Sequence, residues 1–354
     1  MKWFRLLASL KLTLVGMILL VIGAALTYDN RLDVTMWVLV VPLALLALNL
    51  TAAIFTNSRI NRQPGLLVFH IGLLSIIVLA AIGRLSFIDA HLEIAEGQGF
   101  TPDLLLETKQ GPLHAGRLDK VRFVQGNYTV DYAEGMHRGL TNSQVLIPDE
   151  RGQFTSKIVG DDRVLVLEGY RFYTTFNKGF SVVLTWLPDQ GMPVTGRVNL
   201  PSYPLYDYKQ DNSWTPPGAS PVKFWLQLNT GMREDAAWVL DARNSRGVLV
   251  VSHGEERVEL QVGESTSLEG GQLRYDHLSA WMGYKVYYDP TLRWLFFVSI
   301  IAVFGMGWHY WQVMGSRLFP AEAQRRPSDE KPPLPDSARS ASKQSGQENA
   351  GEGV

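Results

Sequence analysis

Cysteine is absent from the 354-residue chain, which excludes disulfides, zinc–thiolate sites, iron–sulfur ligation and thiol redox chemistry. Net charge is nearly absent as well: 33 Lys and Arg stand against 34 Asp and Glu. No segment concentrates the basic face that phosphate binding needs, so nucleic acid is not an expected partner. Catalytic signatures are also missing. The seven histidines form no HxxxH or HExxH pair, and no GxSxG, Walker A or dinucleotide-binding glycine pattern falls on a suitable strand-to-helix turn. Carboxylate pairs such as Asp161-Asp162 and Glu255-Glu256 lie in turn-like stretches and read as solvated charges. Nothing points to a hydrolase or kinase, and without a fixed-period repeat neither a propeller nor a solenoid is expected.

What the chain does have is two populations hidden in one average. Its mean hydropathy is zero, too high for a soluble domain of this size and too low for a polytopic transporter. A helix needs roughly 20 apolar residues to cross a bilayer core and rarely tolerates an unpaired charge there. Four charge-free stretches meet that requirement, predicting spans at about 12–28, 35–56, 65–84 and 293–316. The first is short enough for a signal peptide, with Ala24-Ala25-Leu26-Thr27 the nearest approach to a cleavage site. No small-x-small pattern precedes a soluble start, and a second apolar stretch follows within ten residues. It is read as a span.

Short-loop charges set the orientation, because Lys and Arg stay on the cytoplasmic side. Lys2, Arg5 and Lys11 precede the first span, and Arg59 and Arg62 link the second and third, all without acids; Arg31 in the intervening loop is balanced by Asp29 and Asp33. The expectation is a multi-pass protein of the cell inner (plasma) membrane with both termini cytoplasmic. Residues 85–292, 208 of them, then form one extracytoplasmic domain inserted between helices three and four. Trp294 at one end of the last span, and Trp308, Tyr310 and Trp311 at the other, suit the aromatic belts of the two interfaces. From residue 317 to 354 Pro, Ser, Glu, Gln, Lys and Gly dominate, the composition of a disordered tail.

Between 120 and 290 the pattern becomes short alternating or β-branched segments broken by Gly, Pro, Asn and Asp. Residues 164–167, 180–186, 194–200, 222–228, 248–251, 258–262 and 284–288 read as strands, with Pro188-Asp189-Gln190-Gly191 a turn. An all-β sandwich or open barrel is expected, large enough to bury a core without disulfides. Residues 201–221 carry five prolines and Tyr203, Tyr206, Tyr208 and Trp214. Those aromatics either offer a binding surface or pin a long loop onto the sandwich, the commoner use of buried rings.

Only His70 and His309 fall inside charge-free spans, and imidazole in hydrocarbon needs a hydrogen bond or a metal. Each lies eight residues from an arginine, Arg62 and Arg317 respectively, which predicts similar depths near the cytoplasmic end. His309 stands among Trp308, Tyr310 and Trp311 and reads as an interfacial residue. His70 is flanked by Leu66-Leu67-Val68-Phe69 and Ile71-Gly72-Leu73-Leu74. Two readings stand side by side: an interhelical hydrogen bond, to Asn49 or Thr51, or a ligand site, with Gly72 lowering the bulk for a partner helix or flat ligand.

Three spans, a large β-rich insert and one final span, with Ser9-Leu10-Lys11-Leu12-Thr13-Leu14, GLLVFHIGLL from Gly65 to Leu74, LEIAEG from Leu92 to Gly97 and GYKVYYDP from Gly283 to Pro290, resemble the ResB (CcsB) family of System II cytochrome c biogenesis. The similarity runs in order from about residue 9 to 315 and lies more in topology and motif order than in any one motif. It implies a subunit that works with a CcsA-type WWD-domain membrane protein to carry haem b outward and attach it to apocytochrome c. In that family the third-helix histidine is an axial haem ligand, paired with a histidine of the partner, and His70 matches its position. The inserted domain is shorter than in many members. The chain also lacks a WWD segment, so by this resemblance it is a complex subunit and not an enzyme alone. The rival reading is a membrane-anchored extracytoplasmic sensor or binding module, in which His70 would be dispensable.

Overall fold

A computed structural model describes residues 6–28, 35–205, 209–254 and 256–318. Lys2, Arg5, the loop holding Arg31, Tyr206 and Tyr208, and the tail beyond residue 318 lie outside those residues.

Among the described residues the chain forms helices α1 (Leu10–Tyr28), α2 (Trp37–Thr56), the single-turn α3 (Ser58–Arg62), α4 (Pro64–Ser86) and α5 (Leu292–Leu318). All but α3 are long and apolar enough to cross a membrane. The shortest, at 19 residues, is about 28 Å long at 1.5 Å per residue. The four stand in a row, α1 on α2, α2 on α4 and α4 on α5, with little contact between non-neighbours.

Glycine makes two of these seams. A side chain at Gly16 would meet Leu46 Cδ2 at 2.8 Å, and one at Gly23 would meet the Val38 carbonyl at 2.6 Å, so α1 lies close on α2. Between α4 and α5 the same test gives His309 N at 2.6 Å from Gly65, Ala302 Cβ at 2.7 Å from Gly72 and Thr291 Oγ1 at 2.8 Å from Gly83. Each step up α4 matches a step down α5, an antiparallel pair in one register. Close backbone approach of this kind is how helices associate where lipid leaves no hydrophobic drive between them.

That pairing continues beyond the helices. Ser86 ends α4 and strand Ile88–Ala95 begins two residues later, pairing antiparallel with strand Gly271–Tyr288, from Ile88 opposite Tyr288 to Ala95 opposite Trp281. Strand Gly271–Tyr288 then feeds α5 through Asp289, whose Oδ1 accepts the Thr291 amide at 2.8 Å and its hydroxyl at 2.7 Å. One antiparallel pair thus runs from Gly65 and His309 through both regions of the molecule.

The β-rich region consists of antiparallel sheets. The largest has seven strands centred on Gly271–Tyr288 and Tyr170–Pro188. It packs on two four-stranded sheets. One contains Val124–Ala133 and His137–Pro148, the other Val222–Asn229 and Arg246–His253. Trp186, Tyr170, Tyr275, Tyr284, Phe123 and Phe172 fill the space between them. Strands begin at Ile88, well before the expected position 120, because Ile88, Ala90, Leu92 and Ile94 alternate inward directly after the helix, with no turn residue to announce the change. The segment 284–288 is the end of an 18-residue strand. Gly283 sits against the Asn177 carbonyl where the pairing shifts register, so the apparent breakers Asn177 and Gly283 form a bulge within two long strands.

Candidate functional site

α4 opens with Pro64 in its first turn, where a fixed φ and a missing N–H cost nothing. It carries no charge until Arg84. His70 lies in its second turn. Its Nδ1 is 2.7 Å from the Leu66 carbonyl. A carbonyl oxygen only accepts, so Nδ1 carries the proton that it donates, which in the neutral tautomer leaves the lone pair on Nε2. The Phe69 ring stands edge-on, 5.3 Å away at 83°, and the imidazole is half-buried. Among the described residues Nε2 has no hydrogen-bond partner.

Neither expected interhelical partner reaches His70. Asn49 is buried and fully used on α1 and the residues just before it: its Oδ1 accepts Thr13 Oγ1 at 2.7 Å, and its Nδ2 donates to the carbonyls of Leu7 at 2.5 Å and Ser9 at 3.0 Å. Thr51 donates to Ala47 of its own helix at 2.7 Å. Gly72 does not make room beside His70 either. At 100° per residue the two lie about 160° apart around α4, and the space at Gly72 is taken by Ala302. His70 is therefore on the far side of α4 from α5.

His309 is not at the same depth. Its backbone contacts Gly65, five residues before His70, an axial offset of about 7.5 Å. Counting from arginines misplaced it because α5 continues as helix through Arg317 to Leu318. The two imidazoles are not brought together.

The other histidines are dispersed, and no cluster of three or more His, Asp or Glu suited to a metal occurs among the described residues. His91 pairs with Glu107 at 3.3 Å on the surface. His114 bridges regions: Nδ1 donates to the Ser86 carbonyl at the end of α4 at 3.0 Å, and Nε2 is 3.1 Å from the Tyr170 hydroxyl. In the proline-rich loop, Tyr203 is buried against Phe180 with ring centroids 5.4 Å apart, and Trp214 packs over Gly196. Those two rings pin the loop.

Two features had no signal in the sequence. One is a groove of about 1100 Å³ between Tyr203, Asn229, Arg243, Arg246 and Val262. The other is buried Lys178, whose ammonium donates to the Thr175 carbonyl at 3.0 Å. Burial first, and then the nearby Arg138 charge, lower its pKa to about 8.

Compared with models of known families and with curated proteins, the chain matches none.

Proposed function

We propose that this chain is a ResB-like, membrane-embedded subunit that carries haem across the inner membrane and presents it with apocytochrome c to a CcsA-type WWD partner. In this reading the four apolar helices span the bilayer, both termini are cytoplasmic and the β-rich region lies outside. The observation that carries it is the tautomer of His70. Its Nδ1–H is committed to the Leu66 carbonyl and its Nε2 is spare, the arrangement that orients an imidazole as a metal ligand.

The residues fit one axial ligand. Bound haem would supply an iron that accepts imidazole nitrogen, and among the described helix residues His70 would hold it, since His309 lies about 7.5 Å further along the pair. A second ligand belongs to the partner. Leu66 fixes the ring by accepting its proton, while Arg59 and Arg62, exposed in α3 at the same end and without acidic partners among the described residues, offer cations for carboxylates.

The test is co-production with a WWD partner. The complex should purify with haem, His70→Gly should lose at least about nine-tenths of that absorbance, and added imidazole should restore it by occupying the vacated position. Unchanged haem in folded His70→Gly would overturn the ligand assignment.

A further inference from the structure

Where α5 meets the β-rich region there is a hollow of about 420 Å³, walled by Glu168, Arg171, Asp289, Arg293, Trp294 and Phe297. This volume lies within the usual range of ligand pockets, roughly 300–1,000 Å³. Its charges are unusually free. Neither Arg171 nor Arg293 has an ion-pair or side-chain hydrogen-bond partner among the described residues, nor does Glu168. Asp289, in contrast, is occupied by the turn into α5, accepting from Thr291 and from the Tyr287 hydroxyl at 3.5 Å. The hollow therefore offers two guanidiniums and one carboxylate with no internal use.

Its position selects the ligand. Trp294 and Phe297 occupy the first turns of α5 and are largely exposed. An aromatic pair beginning an apolar helix marks the level of lipid headgroups. Glu168 is held at the wall by a two-residue turn joining paired Leu167 and Tyr170, in which Glu168 has φ 51° and Gly169 φ 88°. Such turns favour Asn, Asp or Gly, and a glutamate there adopts a conformation that L side chains rarely take.

We propose that this hollow binds the headgroup of a phosphatidylethanolamine-type lipid: Arg171 and Arg293 take the phosphate, Glu168 takes the primary ammonium, and Trp294 and Phe297 flank the start of the acyl chains. Guanidinium suits phosphate because its N–H fork can donate two hydrogen bonds to one group. A purely anionic headgroup would meet Glu168 as a like charge, and a quaternary ammonium could give that carboxylate no hydrogen bond. The proposal rests on the reading that α5 spans the bilayer with Trp294 at the interface.

The experiment uses the full chain in nanodiscs containing equal phosphatidylethanolamine, phosphatidylcholine and phosphatidylglycerol, with retained lipid read by native mass spectrometry. The wild type should retain the ethanolamine lipid about tenfold over either competitor, as one charge-assisted hydrogen bond would give. Arg171→Gln with Arg293→Gln should lose that retention, the two lysine replacements should keep part of it, and Glu168→Gln should erase the preference over phosphatidylglycerol and weaken the preference over phosphatidylcholine. Equal retention of all three lipids by the wild type, or variants that retain as it does, would overturn the site. Release by inorganic phosphate would assign it to a soluble ligand and overturn the lipid. Alkaline carbonate extraction of native membranes, run alongside, separates the two readings: a chain that washes off refutes the spans, whereas one that stays but shows no preference refutes only the headgroup site.

Discussion

The helices and the β-rich region satisfy their polar atoms in opposite ways. In the helices most polar side chains bond to the carbonyl one turn back on their own helix: Thr27 to Gly23, Thr51 to Ala47, Thr56 to Ala52, Ser75 to Ile71, Ser86 to Ile82 and Ser299 to Leu295. The α4–α5 seam is then steric, made by side chains that are missing. In the β-rich core polar atoms instead close a ring across sheets. Gln125 Nε2 donates to Ser143 Oγ at 2.8 Å, Ser143 Oγ lies 2.7 Å from Tyr284 Oη, and Tyr284 donates to Gln125 Oε1 at 2.8 Å. The contrast gives His70 its meaning. A hydroxyl that donates one turn back has spent its only proton and keeps weakly basic oxygen lone pairs, whereas an imidazole that donates the same way keeps a second ring nitrogen, a much better ligand for a metal.

The largest expected effect comes from filling the seam. At Gly305 a side chain would meet the Phe69 amide nitrogen at 2.6 Å and Val68 Cγ1 at 2.9 Å. The first contact is backbone, so Gly305→Leu can be accommodated only by parting the helices, at a cost of roughly 3 kcal/mol. In a dodecyl sulfate titration of the purified chain, the helical circular-dichroism transition should move to lower detergent while the near-ultraviolet signal of the buried aromatics keeps its midpoint. A joint shift of both signals would show that the continuous α4–α5 and strand pair unfolds as one unit, and the contrast between regions would then be energetic fiction.

Tyr284→Phe tests the other mode. Burial holds the Tyr284 phenol above its ordinary range, so at neutral pH it is a hydrogen-bond donor whose loss leaves Gln125 Oε1 buried and unpaired. A cost of about 2 kcal/mol is expected, read as a lower thermal midpoint for the aromatic signal. The Gly305→Leu and Tyr284→Phe effects should add, since they share no contacts.

Much of this architecture is legible from the sequence and some is not, for physical reasons. Charge exclusion from hydrocarbon acts on each residue separately, so four apolar helices can be counted from charges alone. Seam register cannot, because it depends on which glycines face which helix: Gly72 is two residues from His70 in sequence and faces away from it in space. Strand Ile88–Ala95 carried a readable alternation, yet it starts without a turn because helix and strand share one continuous pair. The long central strands hide behind Asn177 and Gly283, residues that look like ends and serve as a bulge. At the candidate site His70 itself could be picked out as an imidazole inside an apolar span, but its proton on Nδ1 depends on the Leu66 carbonyl, which only helical geometry brings to 2.7 Å.

The smallest effect concerns Lys178, the one buried cation of the β-rich core among the described residues, which breaks that core's rule of mutual pairing. Among the described residues the Lys178 ammonium donates to one acceptor, the Thr175 carbonyl, and Nζ lies 5.7 Å from the Phe176 ring centroid, a ring that the Arg138 guanidinium also faces from 4.4 Å. With a folded pKa near 8 against an ordinary 10.5, the unfolded chain binds more protons between those values. Stability should therefore rise with pH from about 8 to about 10.5, and the penalty of the buried charge is fully present below pH 8. Lys178→Met removes that penalty but also the bond to Thr175, for a net gain of about 1 kcal/mol at pH 7. Urea melts of both proteins should differ most at pH 7 and draw together, or cross, by pH 10. A difference that stays constant with pH would mean Lys178 titrates as an ordinary lysine, and the core would then hold its cation at no electrostatic cost.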